Sequence, residues 1–375
     1  MSQLRVAAAS MPLDDPSLCG PLSADYQALL VAYAQESASV CTFYRNKYGG
    51  EKAIRAIDGF EAFRQLPLLR PSEVGATSEA MLLPDRMAAA LTNASDFLPE
   101  DLRFAKKFTS SGSTGHPKVS YYTPHDWDLL QVAMNVHFRS IAVADRCRVF
   151  NCFHPGHMAG KVLEDCLNRA GLHVENRHFT ATDEDTLRQL YEGASAFGGF
   201  NCLALPPDGP STLKRKGHTL RALLEADFEN FIGRKIRVII NGGFPRDSEV
   251  SRQVWDANKI ARVEPTRLVE FYGTAEVAGI AAVECNQNDG LHLAQGFTFT
   301  EVLNEKTGQH VRSGERGMIV CTGLKQGSRY IRYLVGDEAT YLEDPCRCGL
   351  RSPRLKNIVR VLEKQRLEEG CAGGW

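Results

Sequence analysis

Between residues 21 and 48 the apolar side chains Tyr26, Leu29, Leu30, Tyr33 and Ala34 recur every three or four positions, and Gly49-Gly50 closes the run. That is the period of one face of an amphipathic helix. Leu66-Pro67-Leu68-Leu69-Arg70-Pro71-Ser72 reads as an extended stretch feeding a second helix, and a further helix is predicted from Pro124 to about Ala142, with Asp126 near its start. Elsewhere the pattern changes to short apolar runs stopped by turn residues. Arg148-Val149-Phe150-Asn151-Cys152-Phe153 ends at His154-Pro155-Gly156-His157-Met158-Ala159-Gly160, Cys202-Leu203-Ala204-Leu205 ends at Pro206-Pro207, and Ile236-Arg237-Val238-Ile239-Ile240 ends at Asn241-Gly242-Gly243. Strands separated by helices predict parallel sheet with both faces covered.

Past Leu291 the texture becomes β-rich, with Thr307-Gly308 as a turn and runs such as Gly317-Met318-Ile319-Val320-Cys321. The expected fold class is therefore α/β, mostly parallel sheets covered by helices plus a smaller antiparallel β-rich subdomain over about residues 290–345. No internal repeat at a solenoid period is present. With 375 residues, 43% hydrophobic and 24% charged, the chain can bury a large core as one big domain or two smaller ones. Its 44 Lys+Arg against 45 Asp+Glu give a formal charge of -1 with no long basic run, which argues against a nucleic-acid or anionic-membrane surface. The N-terminal Met1-Ser2-Gln3-Leu4-Arg5-Val6 is too weakly apolar for a signal peptide, and no apolar run approaches the about 20 residues of a membrane span, so a cytoplasmic location is expected. Cysteines number 11, an odd count scattered through a long chain, which favours reduced thiols or a metal site over a disulfide framework.

The densest chemistry lies in Phe108-Thr109-Ser110-Ser111-Gly112-Ser113-Thr114-Gly115-His116-Pro117-Lys118. Bare backbone N–H groups, short hydroxyl donors and one positive charge are the makings of a phosphate cradle. The common nucleoside-triphosphate loop opens a helix with Gly-Lys-Ser/Thr. Here Lys118 follows Pro117, and Val119-Ser120-Tyr121-Tyr122-Thr123 reads as a strand, so the loop joins two strands. A flexible Ser/Gly linker is the plain alternative, but it needs neither a Pro-Lys end nor β-rich flanks.

In an open α/β sheet, ligands gather beyond the carboxyl ends of the strands. Asn241-Gly242-Gly243-Phe244-Pro245 lies at one such end, before a helix built on Val250, Val254 and Trp255, and its glycines permit close approach of a flat ring. A plain strand-to-helix turn is the alternative. At another end, Glu270-Phe271-Tyr272-Gly273-Thr274-Ala275-Glu276 places an aromatic, a glycine and an acid in one tight turn. Cys285 and His292 are seven apart around a polar turn, and Cys346-Arg347-Cys348-Gly349 adds a thiol pair. Three thiols and an imidazole make a closed tetrahedral set suited to structural Zn2+, with free paired cysteines as the alternative.

Thr109 to Lys118 resembles the phosphate-loop signature of the adenylate-forming superfamily, which includes acyl-CoA synthetases, luciferases and peptide-synthetase adenylation domains. The later segments match in the family's order, and the resemblance covers about residues 20–360. It implies ATP-dependent activation of a small-molecule carboxylic acid, giving an acyl-adenylate and pyrophosphate. By that resemblance, Thr109, Ser110, Ser111, Gly112, Ser113, Thr114, Gly115 and Lys118 would hold the phosphates. Gly242, Gly243, Phe244 and Pro245 would meet adenine, with Tyr272 stacked on it and Gly273 and Thr274 beside it. Glu276 would bind Mg2+, whose preferred ligands are hard oxygens. Asp337, in Tyr333-Leu334-Val335-Gly336-Asp337, would accept from the ribose hydroxyls, and Arg360 would contact ribose or phosphate. Lys118 and Glu276 would be the catalytic pair. Three departures stand out: Ala275 replaces a hydroxyl residue, with Thr274 its neighbouring substitute, Val335 replaces a threonine, and the acidic residues that normally follow the arginine are missing.

An aromatic slot for the acid is expected from Phe153, His154, His157, Met158, Phe197, Phe200 and Phe244, although each is equally at home in a core. Cys346 to Pro353 resembles the phenylacetate-CoA ligase branch, some of whose members bind zinc in this region. The family's acyl-CoA synthetases also carry a C-terminal lid. Here residues 362–375 are charged and then Gly-rich, too few to fold alone, so a large domain over residues 1–361 followed by a tail, without the lid, is expected. Short relatives of this kind are the acyl-protein synthetases of bacterial luminescence and an adenylating protein of the phenazine (griseoluteic acid) pathway. The resemblance thus implies an aromatic or heteroaromatic acid such as a phenazine carboxylate, in antibiotic biosynthesis, activated slowly and handed to a thiol-bearing or reductase partner. Cys371 is one candidate acceptor, and a homodimer is compatible with the sequence. The competing readings are a nucleotide- and acid-binding scaffold, a fatty acyl-protein synthetase, and a full acyl-CoA ligase.

Overall fold

The computed structural model describes residues 22–75, 80–93, 103–104, 106–109, 118–140, 147–153, 158–176, 192, 199–205, 236–242, 267–285, 287–294 and 296–361. Helix α1 (Ala24–Val40) starts at Ser23, whose side chain accepts from the Tyr26 N–H, and buries Tyr26, Leu30, Tyr33, Ala34, Ser37 and Ala38 along one face. The apolar period continues past it, yet Cys41 is extended and a separate helix α2 (Thr42–Lys47) follows. The break is tertiary. Asp85 accepts from the Thr42 N–H at 2.8 Å and from its hydroxyl at 2.9 Å, capping α2 from a distant part of the chain. Short helices α3 (Glu51–Arg55), α4 (Phe60–Arg64), α5 (Pro71–Gly75) and the longer α6 (Asp85–Asn93) complete this N-terminal layer.

Strands β1 (Lys106–Thr109) and β2 (Val119–Tyr122) pair antiparallel, so the glycine- and hydroxyl-rich segment does join two strands. Two further helices are α7 (Pro124–Ser140) and α8 (Met158–Arg169). The main sheet uses β3 (Arg148–Asn151), β4 (His173–Asn176), β5 (Cys202–Leu205), β6 (Val238–Gly242), β7 (Arg267–Thr274), β8 (Ala278–Glu284), β9 (Leu291–Leu293), β10 (Thr298–Leu303), β11 (Arg316–Gly323), β12 (Tyr333–Leu342) and β13 (Arg354–Arg360). Its order is β4-β3-β5-β6-β7-β8-β9-β13-β12-β11-β10. From β4 to β7 the pairs are parallel, and from β7 onward they are antiparallel. The β-rich portion is hydrogen-bonded into the same sheet through β7 and β8. All of β8 is buried, because it lies mid-sheet with both faces covered.

One core lies between α7, α8 and a face of the parallel strands, with Trp127, Leu130, Met134, Val162, Leu163 and Cys166 packed on Val149, Cys202, Val238 and Val269. A second lies between α1, α2 and the antiparallel strands. Three tyrosine hydroxyls join that helical layer to the sheet: Tyr26 donates to Thr298 O at 2.9 Å, Tyr33 to Lys325 O at 2.8 Å and Tyr44 to Arg329 O at 2.5 Å. The extended stretch before α5 runs beside the start of β12, where Leu69 N donates to Arg332 O and Leu334 N to Leu69 O, each at 2.9 Å. Among the described residues no helix is long and apolar enough to cross a membrane.

Arg332 sits at this junction with φ 47, and its guanidinium is buried. It holds Glu301 by paired bonds of 3.0 and 3.1 Å and donates to Leu66 O at 2.5 Å. Glu301→Ala would leave that cation buried without its counter-charge, so a loss of about 3–5 kcal/mol is expected, read as a lower urea midpoint at unchanged slope. A midpoint within error of the parent would show that the pair does not hold the junction.

Candidate active site

The carboxyl ends of β6 and β7, the start of β2 and the β12–β13 pair converge on one region. Gly242 ends β6, and a Cβ there would lie 2.2 Å from the Phe271 ring, so glycine lets that ring sit on the backbone. Gly273 plays the same part between strands, since its Cβ would fall 2.0 Å from Gly279 O where the β7–β8 register shifts. The turn beyond β7 is closed by Val277 N donating to Thr274 Oγ1 at 3.1 Å, so the Thr274 hydroxyl is engaged within its own turn. Glu276 lies in this turn, half-buried.

Lys118, the last residue before β2, is buried. Burial lowers its pKa, Glu276 opposes that shift and Arg360 adds to it, so Lys118 lies within the field of both. Behind them Asp337 accepts from the Tyr272 hydroxyl at 2.8 Å and pairs with Arg360 Nε at 2.7 Å. Burial first, then the Asp337 charge, pushes the Tyr272 phenol well above its ordinary range. Asp337 is presented by a bulge. One residue of β11, Ile319, faces three of β12, Val335 to Asp337, between Met318/Glu338 and Val320/Leu334, and Gly336 takes φ 87 inside that shift. Only glycine adopts that backbone freely, which accounts for its place before the aspartate.

Thr109 ends β1. Ser110, Ser111, Gly112, Ser113, Thr114 and Gly115 lie outside the described residues, as do Gly243, Phe244, Pro245, His154, His157 and Phe197. Phe153 and Met158 share the core against α7 and α8, Phe153 beside Phe271 with ring centroids 5.9 Å apart. Phe200 is apart from them. It stacks at 4.4 Å on Phe150, which leaves the opposite face of β3 from Val149 because side chains alternate along a strand.

Sequence reasoning missed Lys325, in the β11–β12 connection. Its ammonium donates to Ser120 Oγ at 2.5 Å and to Glu276 O at 2.7 Å, and is fully buried. Burial lowers its pKa to about 7, with Asp126 and then Glu276 opposing the shift. Within Gly323-Leu324-Lys325-Gln326-Gly327 it reads as an ordinary turn lysine, and no local signal marks it, since Ser120 is 205 positions away.

A second cluster lies at the far end of β13. Cys285, His292, Cys346 and Cys348 bring four ligand atoms within 4.8 Å of one another. Cys285 Sγ is 3.6 Å from Cys346 Sγ, and Cys348 Sγ is 3.4 Å from His292 Nε2. Metal–sulfur bonds of about 2.3 Å in a tetrahedron require sulfur–sulfur edges of about 3.8 Å, so the donor set fits zinc. His292 Nδ1 contacts Ser352 Oγ at 3.0 Å, which aims Nε2 at the thiols. Burial, then Arg354, lowers His292 to about 4, leaving the neutral ring that ligation needs.

No protein-family model matches the chain. It is similar to the phenylacetate-coenzyme A ligase of Thermus thermophilus, 25% identical over 281 residues that cover 68% of this chain and 54% of the relative. The chain thus spans about half the length of that curated relative. Among solved structures it is similar to 2-hydroxyisobutyryl-CoA ligase in the postadenylation state with R3-HIB-AMP, at TM-score 0.72 and 17% identity over 95% of this chain and 73% of that one. It is also similar to a long-chain-fatty-acid-CoA ligase of Archaeoglobus fulgidus, at TM-score 0.51 and 14% identity over 73% of this chain and 55% of that one. The chain has the fold of the large N-terminal domain of adenylate-forming enzymes. The sequence similarity adds support for the adenylate-forming superfamily.

Proposed function

We propose that this chain activates a carboxylic acid with ATP, giving an acyl-adenylate and pyrophosphate. The observation that carries the reading is that Lys118 lies in the field of both Glu276 and Arg360, with the strand after Lys118 bonded to Glu276 O through Ser120 and Asp337 paired to Arg360 and Tyr272. An acid oxygen would attack the α-phosphorus, forming a new O–P bond while the bond to the bridging α–β oxygen breaks and its electron pair leaves with pyrophosphate. Lys118 would offset charge on the phosphates, and its desolvation makes that charge count for more than it would in water. Asp337 would accept from the ribose hydroxyls, its carboxylate held in orientation by Tyr272 and Arg360. Tyr272 would stack on adenine beside Gly242 to Pro245. Glu276 would hold Mg2+, whose charge would offset that of the phosphates. Catalysis would then be mainly positioning and electrostatics.

For the substrate we propose an aromatic or heteroaromatic acid, a phenazine carboxylate being one example, handed on to a thiol or a partner enzyme in secondary metabolism. The relative's name, phenylacetate-coenzyme A ligase, supports an aromatic acid and a thiol acceptor. Phe153 and Met158, beside Phe271, would bound the apolar end of the pocket with His154, His157 and Phe197, whereas Phe200 stands apart on the opposite face of β3. One observation favours the scaffold reading instead. Ala275 has no hydroxyl, so the phosphate contact expected there would fall to Thr274, whose oxygen already accepts from Val277 N and whose O–H is left to donate.

Acid-dependent exchange of labelled pyrophosphate into ATP decides between the two. Exchange is expected with at least one member of a panel of aromatic acids, falling by about 100-fold or more in Lys118→Ala. No exchange with any acid, or an unchanged rate in the variant, would overturn the enzymatic reading.

We further propose that Cys285, His292, Cys346 and Cys348 hold a structural zinc that ties the segment after β8 to the β12–β13 connection. Purified protein is expected to contain equimolar zinc, and stripping it with a chelator at neutral pH should lower the melting temperature by several degrees, restored on adding zinc back. Cys348→Ser protein that retains zinc stoichiometrically with unchanged melting would contradict this.

A further inference from the structure

Lys325 is a fully buried charge for which the proposed reaction has no direct use. Its ammonium bonds two acceptors from different parts of the chain, Ser120 Oγ and Glu276 O, and the Ser120 hydroxyl itself donates to Glu276 O at 2.9 Å. The three groups form a closed triangle. The faces of Tyr122 and Tyr330 enclose the ammonium, with centroids 4.3 and 5.0 Å away.

The backbone around Lys325 is fixed as firmly as its tip. Tyr33 OH donates to Lys325 O at 2.8 Å and accepts from Lys325 N at 3.2 Å. The next two N–H groups, of Gln326 and Gly327, donate to the buried Asp126 carboxylate at 2.7 and 3.0 Å. At Gly327 a Cβ would lie 2.3 Å from Tyr121 O, so this turn is pressed against β2. A long, flexible side chain is thereby held at both ends.

Its two acceptors are informative. Ser120 stands two positions after Lys118 on β2, and the carbonyl belongs to Glu276 itself. We propose that Lys325 is a positioning residue, whose ammonium locks the strand carrying Lys118 to the turn carrying Glu276 so that the two groups meeting the triphosphate keep a fixed separation. The inference rests on the nucleotide-binding reading above. An ammonium suits this place because charge-assisted bonds are about twice as strong as neutral ones, and one ammonium can serve two acceptors at once. A hydroxyl at this distance from its backbone would not reach both. Because it is enclosed, Lys325 touches no ligand and acts through its partners.

The test is Mg·ATP affinity, measured by calorimetry on the full chain for the parent, Lys325→Met, Ser120→Ala, Lys118→Ala and the Lys118→Ala/Lys325→Met double variant. Methionine keeps the stem packed between the two rings and removes both bonds. Lys325→Met is expected to weaken Mg·ATP binding by about 10-fold, and Ser120→Ala by about 3-fold. In the Lys118→Ala background Lys325→Met should add no more than about 2-fold, because the positioning would have nothing left to position. With an exchange-active acid, the KM for ATP should rise while the KM for the acid stays put. Unchanged Mg·ATP affinity in folded Lys325→Met, or penalties that multiply in the double variant, would overturn the proposal and reduce Lys325 to a packing element. If Lys325→Met does not fold, Ser120→Ala alone and combined with Lys118→Ala decides by the same criterion. A parent protein that binds no Mg·ATP would instead overturn the nucleotide reading itself, and this inference with it.

Discussion

Three cations threaded through the interior between β11 and β12 set the terms for the rest of the fold. Lys325, Arg329 and Arg332 are all buried, and an unpaired charge there would cost several kcal/mol. Each is met by a different layer. Lys325 reaches β2 and the β7–β8 turn, Arg329 reaches Glu36 and Ser37 on α1, and Arg332 reaches Glu301 on β10 and Leu66 O before α5. The hydrophobic cores supply most of the driving force, but they are non-directional. Charge pairing is directional, so these contacts select one arrangement of helices over the sheet.

The same segment explains why the candidate site can be assembled from strands that are not neighbours. Lys118 immediately precedes β2, Glu276 lies in the β7–β8 turn and Asp337 on β12, and of these strands only β7 and β8 are directly paired in the main sheet. Turns alone would leave the relative heights of these groups loose. Lys325 closes the gap between β2 and the β7–β8 turn, and the Tyr272–Asp337 bond closes the gap between β7 and β12. Rigid elements joined by buried polar bonds are what an electrostatic site requires, because its groups must be in place before charge develops.

Much of this was readable from residue order. Runs of apolar residues ended by glycine or proline marked β3, β5 and β6, and the Pro-Lys end with β-rich flanks placed Lys118 at the start of a strand. Cys285, His292, Cys346 and Cys348 could be grouped by residue type, and the fold brings them together. What stayed hidden depends on distant partners. Apolar spacing runs on through Cys41, and only Asp85, brought in by the tertiary fold, separates α1 from α2. The hydroxyl partner of Tyr272 lies 65 positions away and those of Lys325 lie 49 and 205 away, so no window of neighbouring residues contains the information. Phe200 is a different case, because strand alternation alone separates the face of Phe150 from that of Val149.

The two clusters at opposite ends of β13 are not independent. Arg354 of β13 pairs with His292 on β9 and with Leu342 on β12, while Arg360, six positions on, pairs with Asp337. Between them the register shifts once, so that β13 carries one residue more than β12, and Asn357 takes φ 53 there. Asparagine tolerates this left-handed backbone better than most side chains. The bulge is what lines up Arg360 with Asp337. A slip of one residue would turn every side chain of β13 to the other face and point Arg360 away from the carboxylate. Holding the first residues of β13 therefore fixes the last. Arg354 already does part of this, through Asp289 and Asp344 O. A metal on Cys285, His292, Cys346 and Cys348 would join the chain just before β13 to β9 more firmly still. Its bearing on nucleotide chemistry would then be geometric, transmitted along one strand.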